Sequence, residues 1–225
     1  MKIFIDAGHG KDTYGKRAPD DSMREFEFNS AVANYVKEYF KVYPDADIMF
    51  SHSFTTDVPL QDRTNYANKE KAALFISIHA NAYGDGWNDV RGIETYIYTN
   101  KPPEAVQLAS YVQNELIRET SQKNRGVKTA NFHVLRETNM TAILIECGFM
   151  TNKEDLILLK SDAYRRKCAL AIVNSVASYF KLIKVNNVNS PMYTVQVGAF
   201  KSRNNALLLV DKLKEMGIDS VIIPK

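Results

Sequence analysis

Three stretches of the chain are almost wholly apolar and then give way to an ionisable side chain: KIFID at 2–6 shortly before His9, ALFISI at 73–78 before His79, and TAILI at 141–145 before Glu146. Runs of this length without polar alternation suit central strands covered on both faces. Two more β-type runs, ADIMF at 46–50 and GIETYIY at 92–98, complete a set of five predicted strands. Between them, apolar residues recur at helical spacing, which predicts helices near 23–40, 59–71, 103–120, 153–160 and 162–181. Strand and helix patterns that alternate in this way predict an α/β fold, a mostly parallel twisted sheet flanked by helices.

The pattern changes at Lys181. KLIKVNNVNSP is polar, rich in Asn and closed by Pro191, the signature of a linker over 182–191. MYTVQVGAF then alternates at strand period, Ala206, Leu209, Val210 and Leu213 follow at helical spacing, Gly217 stops the helix, and DSVIIP reads as a further strand. The organisation predicted is a domain over 1–181, a linker, and a small β-α-β appendage over 192–225.

The 225 residues allow one substantial core of roughly 150–180 residues and a small remainder. Charge adds one detail, because residues 181–225 hold seven Lys/Arg against three Asp/Glu while the rest is close to neutral. A basic appendage is drawn to anionic polymers. No run of five like charges exists, so no nucleic-acid partner is expected. No run of 18 apolar residues occurs, so no membrane insertion is expected. The opening MKIFIDAGHG has too short an apolar run for a secretory leader, which predicts synthesis in the cytoplasm without a signal peptide. Cys147 and Cys168 lie in apolar surroundings and are expected to be buried and reduced.

Ligands of open α/β sheets gather beyond the carboxyl ends of the strands, where His9, His79 and Glu146 would converge. Catalytic zinc commonly takes three protein ligands from His and Glu or Asp. The two histidines supply two, and SMREFEFNSAVANYVKEYF offers Glu25 and Glu27 as the third. At 3.6 residues per turn Glu25 lines up with the apolar stripe Phe28, Val32, Val36 and Phe40, whereas Glu27 falls on the wetter side. Ser22-x-x-Glu25 also spells a capping box, which would use Glu25 to satisfy the Ser22 amide. Taken with two strand-end histidines and a separate Glu146, metal ligation is the preferred role for Glu25. His52 and His133 are expected on the surface or supporting the site.

The stretches IDAGHGK, EFEFN at 25–29, SIHANA at 77–82, GIET at 92–95 and ILIECGFMTN at 143–152 resemble, in order, the motifs of the Amidase_3 family of zinc N-acetylmuramoyl-L-alanine amidases. The resemblance spans nearly all of residues 1–180. It implies that His9, Glu25 and His79 bind Zn2+, that Glu146 is the catalytic acid and base, and that Asn81 and Glu94 lie on the substrate side. It further implies that Arg63 is a structural support. The substrate implied is bacterial peptidoglycan, cut between the lactyl group of N-acetylmuramic acid and L-alanine, as in phage endolysins and mother-cell autolysins. The short loop at 83–91 leaves no room for the inhibitory helix of some members, so an open site is expected.

The tail resembles one repeat of the two that make up a SPOR module, a peptidoglycan-binding domain. Two strands and a helix bury too little to stand alone, and a homodimer through paired tails would complete the sheet. Three other enzyme readings compete. A dinucleotide loop at Gly8 and Gly10 would carry Thr13 in place of its third glycine; a thiol hydrolase would use Cys147 with His79; a zinc peptidase would share the same metal chemistry. A wall-binding protein with a dead site is opposed by the intact set of four residues.

Overall fold

The computed structural model describes residues 1–52, 56–185, 196–218 and 220–223. The chain divides into two units, Met1–Asn186 and Asn187–Lys225.

The first unit is built on six strands, β1 (Lys2–Ala7), β2 (Asp47–Phe50), β3 (Leu74–Asn81), β4 (Ile93–Ile97), β5 (Asn124–Thr129) and β6 (Thr141–Phe149). They lie in the order β2-β1-β3-β6-β4-β5. Every neighbouring pair is parallel except β4 with β6, so the mostly parallel sheet predicted from the sequence is the one found. β5 was not anticipated. Its sequence, NRGVKT, has no apolar run because it is an edge strand and only partly covered.

Alternation along each strand sorts side chains onto two faces. Ile3, Ile5, Ile76, Ile78, Ile143 and Ile145 join one large core. That core is closed by α1 (Glu25–Phe40), α3 (Pro103–Thr120), α5 (Lys153–Lys160) and α6 (Asp162–Tyr179). The apolar stripe of α1 is fully inside, with Phe28, Val32 and Val36 at zero exposure. Each such side chain contributes about 1.5–3 kcal/mol on leaving water. Phe4, Phe75, Ala142 and Leu144 point the other way, into a smaller cluster with Ala67 of α2 (Leu60–Lys69) and Val134 and Leu135 of α4 (His133–Arg136).

The smaller cluster uses positions early in the strands. Two to four residues further toward that end of the same face the strands carry Asp6, Ser77, His79, Glu146 and, on antiparallel β4, Glu94 instead of apolar residues. The polar site is thus the continuation of a core face past the point where α2 and α4 cover it.

In the second unit, α7 (Arg203–Glu215) forms as predicted but buries none of its residues. Residues 196–200 and 220–223 are in no strand, and residues 192–195, 219 and 224 of the predicted strands lie outside the described residues. Most of the predicted linker lies outside them as well. No helix is long and apolar enough to cross a membrane among the described residues.

Candidate metal centre

His79 and Glu146 do not end their strands; each lies inside one, and the two are register partners on β3 and β6. The pairing slips between His79 and Asn81, a bulge of the kind that re-aims side chains beside active sites. His9 sits in the loop after β1 in a left-handed conformation, φ 61°. Such a backbone persists in a non-glycine residue only when its surroundings hold it. Here the Arg63 guanidinium donates to the His9 carbonyl, the Asn29 amide donates to the Gly8 carbonyl, and the Gly8 amide donates to Ile78.

The two glycines flanking His9 have steric reasons. A Cβ on Gly8 would lie 2.0 Å from the His79 ring, and one on Gly10 would lie 2.2 Å from the Asp57 backbone. The dinucleotide-loop reading falls here, because the Thr13 hydroxyl accepts from the Gly10 amide and donates to Asp57. No helix follows the loop until Glu25.

Glu25 is the first residue of α1, not its capping residue. Arg24 is the N-cap, and Glu27 supplies the returning carboxylate, accepting from the Arg24 amide at 3.2 Å. The capping role weighed for Glu25 therefore belongs to exposed Glu27. Glu25 is buried and lies against both histidines, with Oε2 3.2 Å from His9 Nε2 and Oε1 2.8 Å from His79 Nδ1.

The ligand atoms of His9, Glu25 and His79 all lie within 4.8 Å of one another. Two donors on one tetrahedral zinc, at 2.0–2.1 Å each, stand about 3.3 Å apart, and here the two imidazoles approach Glu25 at 3.2 and 2.8 Å through its two different oxygens. Two imidazoles and one carboxylate are also a donor set that zinc accepts while keeping a position open. The residues present fit the ion.

Behind these three residues runs a buried relay. His79 Nε2 is 3.0 Å from the Ser77 hydroxyl, which donates to Asp6 Oδ2 at 2.6 Å, and Asp6 Oδ1 receives Arg63 at 2.7 Å. Orienting partners of this sort fix the ring and the tautomer of a ligating histidine. Burial pushes the Asp6 carboxyl up, but the Arg63 charge and the Ser77 and Ser51 hydroxyls outweigh it and hold the group below its ordinary range. Burial lowers His9 to about 4, which leaves it neutral and able to ligate. Burial also opposes the charged form of His79, yet the hydrogen bond its Nδ1 donates to Glu25 and the Glu25 charge win and raise His79 above its ordinary value.

Glu146 has a different environment. Its Oε2 is buried without a hydrogen-bond partner among the described residues. Burial, with help from Glu25 and Glu94, lifts its pKa to about 8 against the opposing pull of His79. Cys147, the next residue, points into the opposite face. A hydrogen bond with Cys168 and burial push its thiol well above the ordinary range, which removes the thiol-nucleophile reading. Both cysteines are free and buried, as predicted.

Asn81 and Glu94 stand beside Glu146. Asn81 donates to Glu94 Oε1 at 2.9 Å, and Glu94 is the antiparallel register partner of Glu146. His52 is buried rather than superficial, with its Nδ1 accepting from the Ala7 amide at 3.1 Å, so it supports the end of β1. His133 lies 3.3 Å from the Thr64 hydroxyl and is not in the group of His9, Glu25 and His79. The 83–91 loop contains no helix; Tyr83 and Asn88 tie it to Thr151.

The sequence profile of the N-acetylmuramoyl-L-alanine amidase family matches residues 3–178, and that of the SPOR domain matches residues 163–225. The second match begins on α6, which belongs to the first unit. The sporulation-specific N-acetylmuramoyl-L-alanine amidase of Bacillus subtilis (strain 168) is 34% identical over 226 residues, covering 100% of this chain and 85% of the relative. Among solved structures, an N-acetylmuramoyl-L-alanine amidase from Clostridium difficile 630 superposes with a TM-score of 0.76 at 33% identity, covering 80% of this chain and 96% of that one. The catalytic domain of CwlV from Bacillus (Paenibacillus) polymyxa var. colistinus gives 0.75 at 30% identity, with 81% and 99% covered.

Proposed function

The chain belongs to the N-acetylmuramoyl-L-alanine amidase family and is a peptidoglycan amidase, and we propose that it works with one zinc ion held by His9, Glu25 and His79 and with Glu146 as catalytic acid and base. The observation that carries this reading is the meeting of two imidazoles and a buried carboxylate within 4.8 Å, beside a second buried carboxylate with an unpartnered oxygen.

The bond cut is the amide between the lactyl carbonyl of N-acetylmuramic acid and the nitrogen of L-alanine. A bound zinc ion supplies Lewis acidity to that carbonyl and brings the pKa of water from 15.7 toward about 7. Glu146 takes a proton from the attacking water and gives it to the L-alanine nitrogen as the C–N bond breaks. Its surroundings suit both halves of that task. The positive charge of His79 favours the ionised form that takes the proton, and burial strengthens its hold on that proton until the nitrogen receives it. Arg63 and Asp6 do not touch substrate; they hold the His9 loop and the Ser77 hydroxyl in place.

Glu146→Ala should abolish the release of new amino termini from purified walls while zinc stays bound at one ion per chain. Wild-type rates in that variant would remove Glu146 from its role, and loss of the ion would make it a ligand instead.

The tail is read as a SPOR-type unit that joins a second copy of the chain. The support is that α7 buries nothing while Val197, Phe200, Leu208, Val221 and Ile223 stand more than 45% exposed. Light scattering on the full chain should give a dimer, and a monomer at concentrations where it binds walls would overturn this.

A further inference from the structure

Glu94 lies at the centre of a charged cluster that the hydrolytic step leaves unused. All its acceptor capacity is taken: Oε1 receives Asn81 Nδ2 at 2.9 Å and the Tyr96 hydroxyl at 2.6 Å, while Oε2 receives Arg125 Nε at 2.7 Å and Lys128 Nζ at 2.5 Å. Burial pushes the Glu94 carboxyl up, but the bonds from Lys128, Tyr96 and Arg125 hold it below the ordinary range. Glu94 is therefore a fixed anion with no lone pair left for a substrate.

The cations around it are not used up in the same way. One carboxylate faces two full positive charges, so the cluster is left one charge positive. Arg125 spends only its Nε on Glu94, and neither of its Nη groups has a hydrogen-bond partner among the described residues. Its guanidinium carbon lies over the Phe149 ring, 4.9 Å from the ring centre, and the side chain is one-quarter exposed. A guanidinium held by one nitrogen and by an aromatic face presents its other edge ready-made for a two-pronged bond to a carboxylate.

The order of groups across the sheet gives this cation a place on the substrate. His79, Glu146 and Glu94 are successive register partners on β3, β6 and β4, and Arg125 and Lys128 follow on β5. The scissile carbonyl belongs at the metal ligands and its nitrogen at Glu146. Continued along this line, the leaving peptide runs outward over β4 and β5. Those strands lie about 5 and 10 Å beyond β6. Two residues of extended peptide reach about 7 Å. The group that arrives there is the α-substituent of the second stem residue, a D-glutamate joined through its γ-carboxyl, which leaves its α-carboxyl free unless it is amidated.

We propose that Arg125 and Lys128, held in place by Glu94, form a subsite for the free α-carboxylate of the second stem residue, so that the enzyme prefers non-amidated D-glutamate stems over D-isoglutamine stems. This rests on the amidase reading of the site. Its chemistry is separate from the metal step, since it concerns the leaving peptide alone.

The test compares two soluble muropeptides, N-acetylmuramoyl-L-alanyl-γ-D-glutamyl-L-lysine and its glutamate α-amide, in both of which the γ-carboxyl is taken up by the third residue, with the zinc-loaded full chain. A carboxylate gains a charge-assisted bond that a carboxamide cannot make, so kcat/KM should favour the acid by about tenfold or more. In Arg125→Gln that ratio should fall toward one, chiefly through loss of rate on the acid, and Arg125→Lys should restore part of it. Equal kcat/KM for the two muropeptides in the wild type would overturn the subsite and leave the amidase reading standing. An unchanged preference in both Arg125→Gln and Lys128→Gln would overturn the assignment to these residues. Cleavage of neither muropeptide, with the zinc-loaded chain equally inactive on intact wall, would strike the amidase reading itself.

Discussion

Arg63 makes five hydrogen bonds from a side chain that is 1% exposed: to Asp6, to Asp57 and to the carbonyls of Ala7, His9 and Val58. In Arg63→Met the aliphatic volume is kept and the charge is lost. Asp6 is then a buried carboxylate with only the Ser51 and Ser77 hydroxyls, at 2.7 and 2.6 Å, to hold it. Breaking a buried pair by removing one partner costs about 3–5 kcal/mol, a large part of the 5–15 kcal/mol of a typical domain. Asp6→Asn in the same background removes the stranded charge, so the double variant should be more stable than Arg63→Met by about 1–3 kcal/mol. Acid should have a related effect. In the wild type the folded pKa of Asp6 lies below its unfolded value, so its contribution is present above about pH 4 and is lost as pH falls through the folded value. With Arg63 gone the carboxyl is pushed up instead, and the deficit of the variant should shrink as pH falls through that raised value. Urea unfolding of chelator-treated protein, followed by circular dichroism at neutral and mildly acid pH, measures both effects without metal linkage. A double variant no more stable than Arg63→Met would refute the buried-charge account.

Three further outcomes follow from the centre itself. Glu25→Gln should lose bound zinc, whereas Glu27→Ala should keep it and lose only about 0.5–2 kcal/mol of helix capping; elemental analysis and thermal unfolding separate the two. Zinc binding should release protons, and apparent affinity should fall as pH drops through the raised pKa of His79, with His79→Ala abolishing binding at every pH; calorimetry in buffers of different ionisation enthalpy checks this. In the metal-free protein the folded pKa of Glu146 is lifted to about 8 from 4.5, so its contribution to stability is complete below about pH 4.5 and is lost as pH rises through 8. The stability advantage of metal-free Glu146→Gln over wild type should therefore grow from pH 4.5 to 8, as read from denaturant midpoints.

The faces of the sheet were legible because alternation is local. Phe4-x-Asp6, Phe75-x-Ser77-x-His79 and Leu144-x-Glu146 each place polar groups on an otherwise apolar face, and period two alone aligns them. Where the strands stop was not legible, since the bulge after His79 depends on the neighbouring strand. The competing roles of Glu25 and Glu27 needed the position of the helix start, which moved from Ser22 to Arg24 and exchanged their parts. β5 escaped notice because an edge strand need not be apolar, and with it went Arg125 and Lys128. One signal for them was available: a carboxylate at Glu94 within GIETYIY has to be paired if it is buried.

The central claim is that the chain cuts the lactyl–L-alanine amide with a metal held by His9, Glu25 and His79. Digestion of purified sacculi, with mass spectrometry of the products and metal analysis of the same enzyme sample, tests it most directly. The account predicts free L-alanine amino termini, glycan strands without new reducing ends, one zinc per chain, and loss and return of activity with chelator and added zinc. Stem peptides cut at another bond, or full activity in a chelator-treated, metal-free sample, would contradict it.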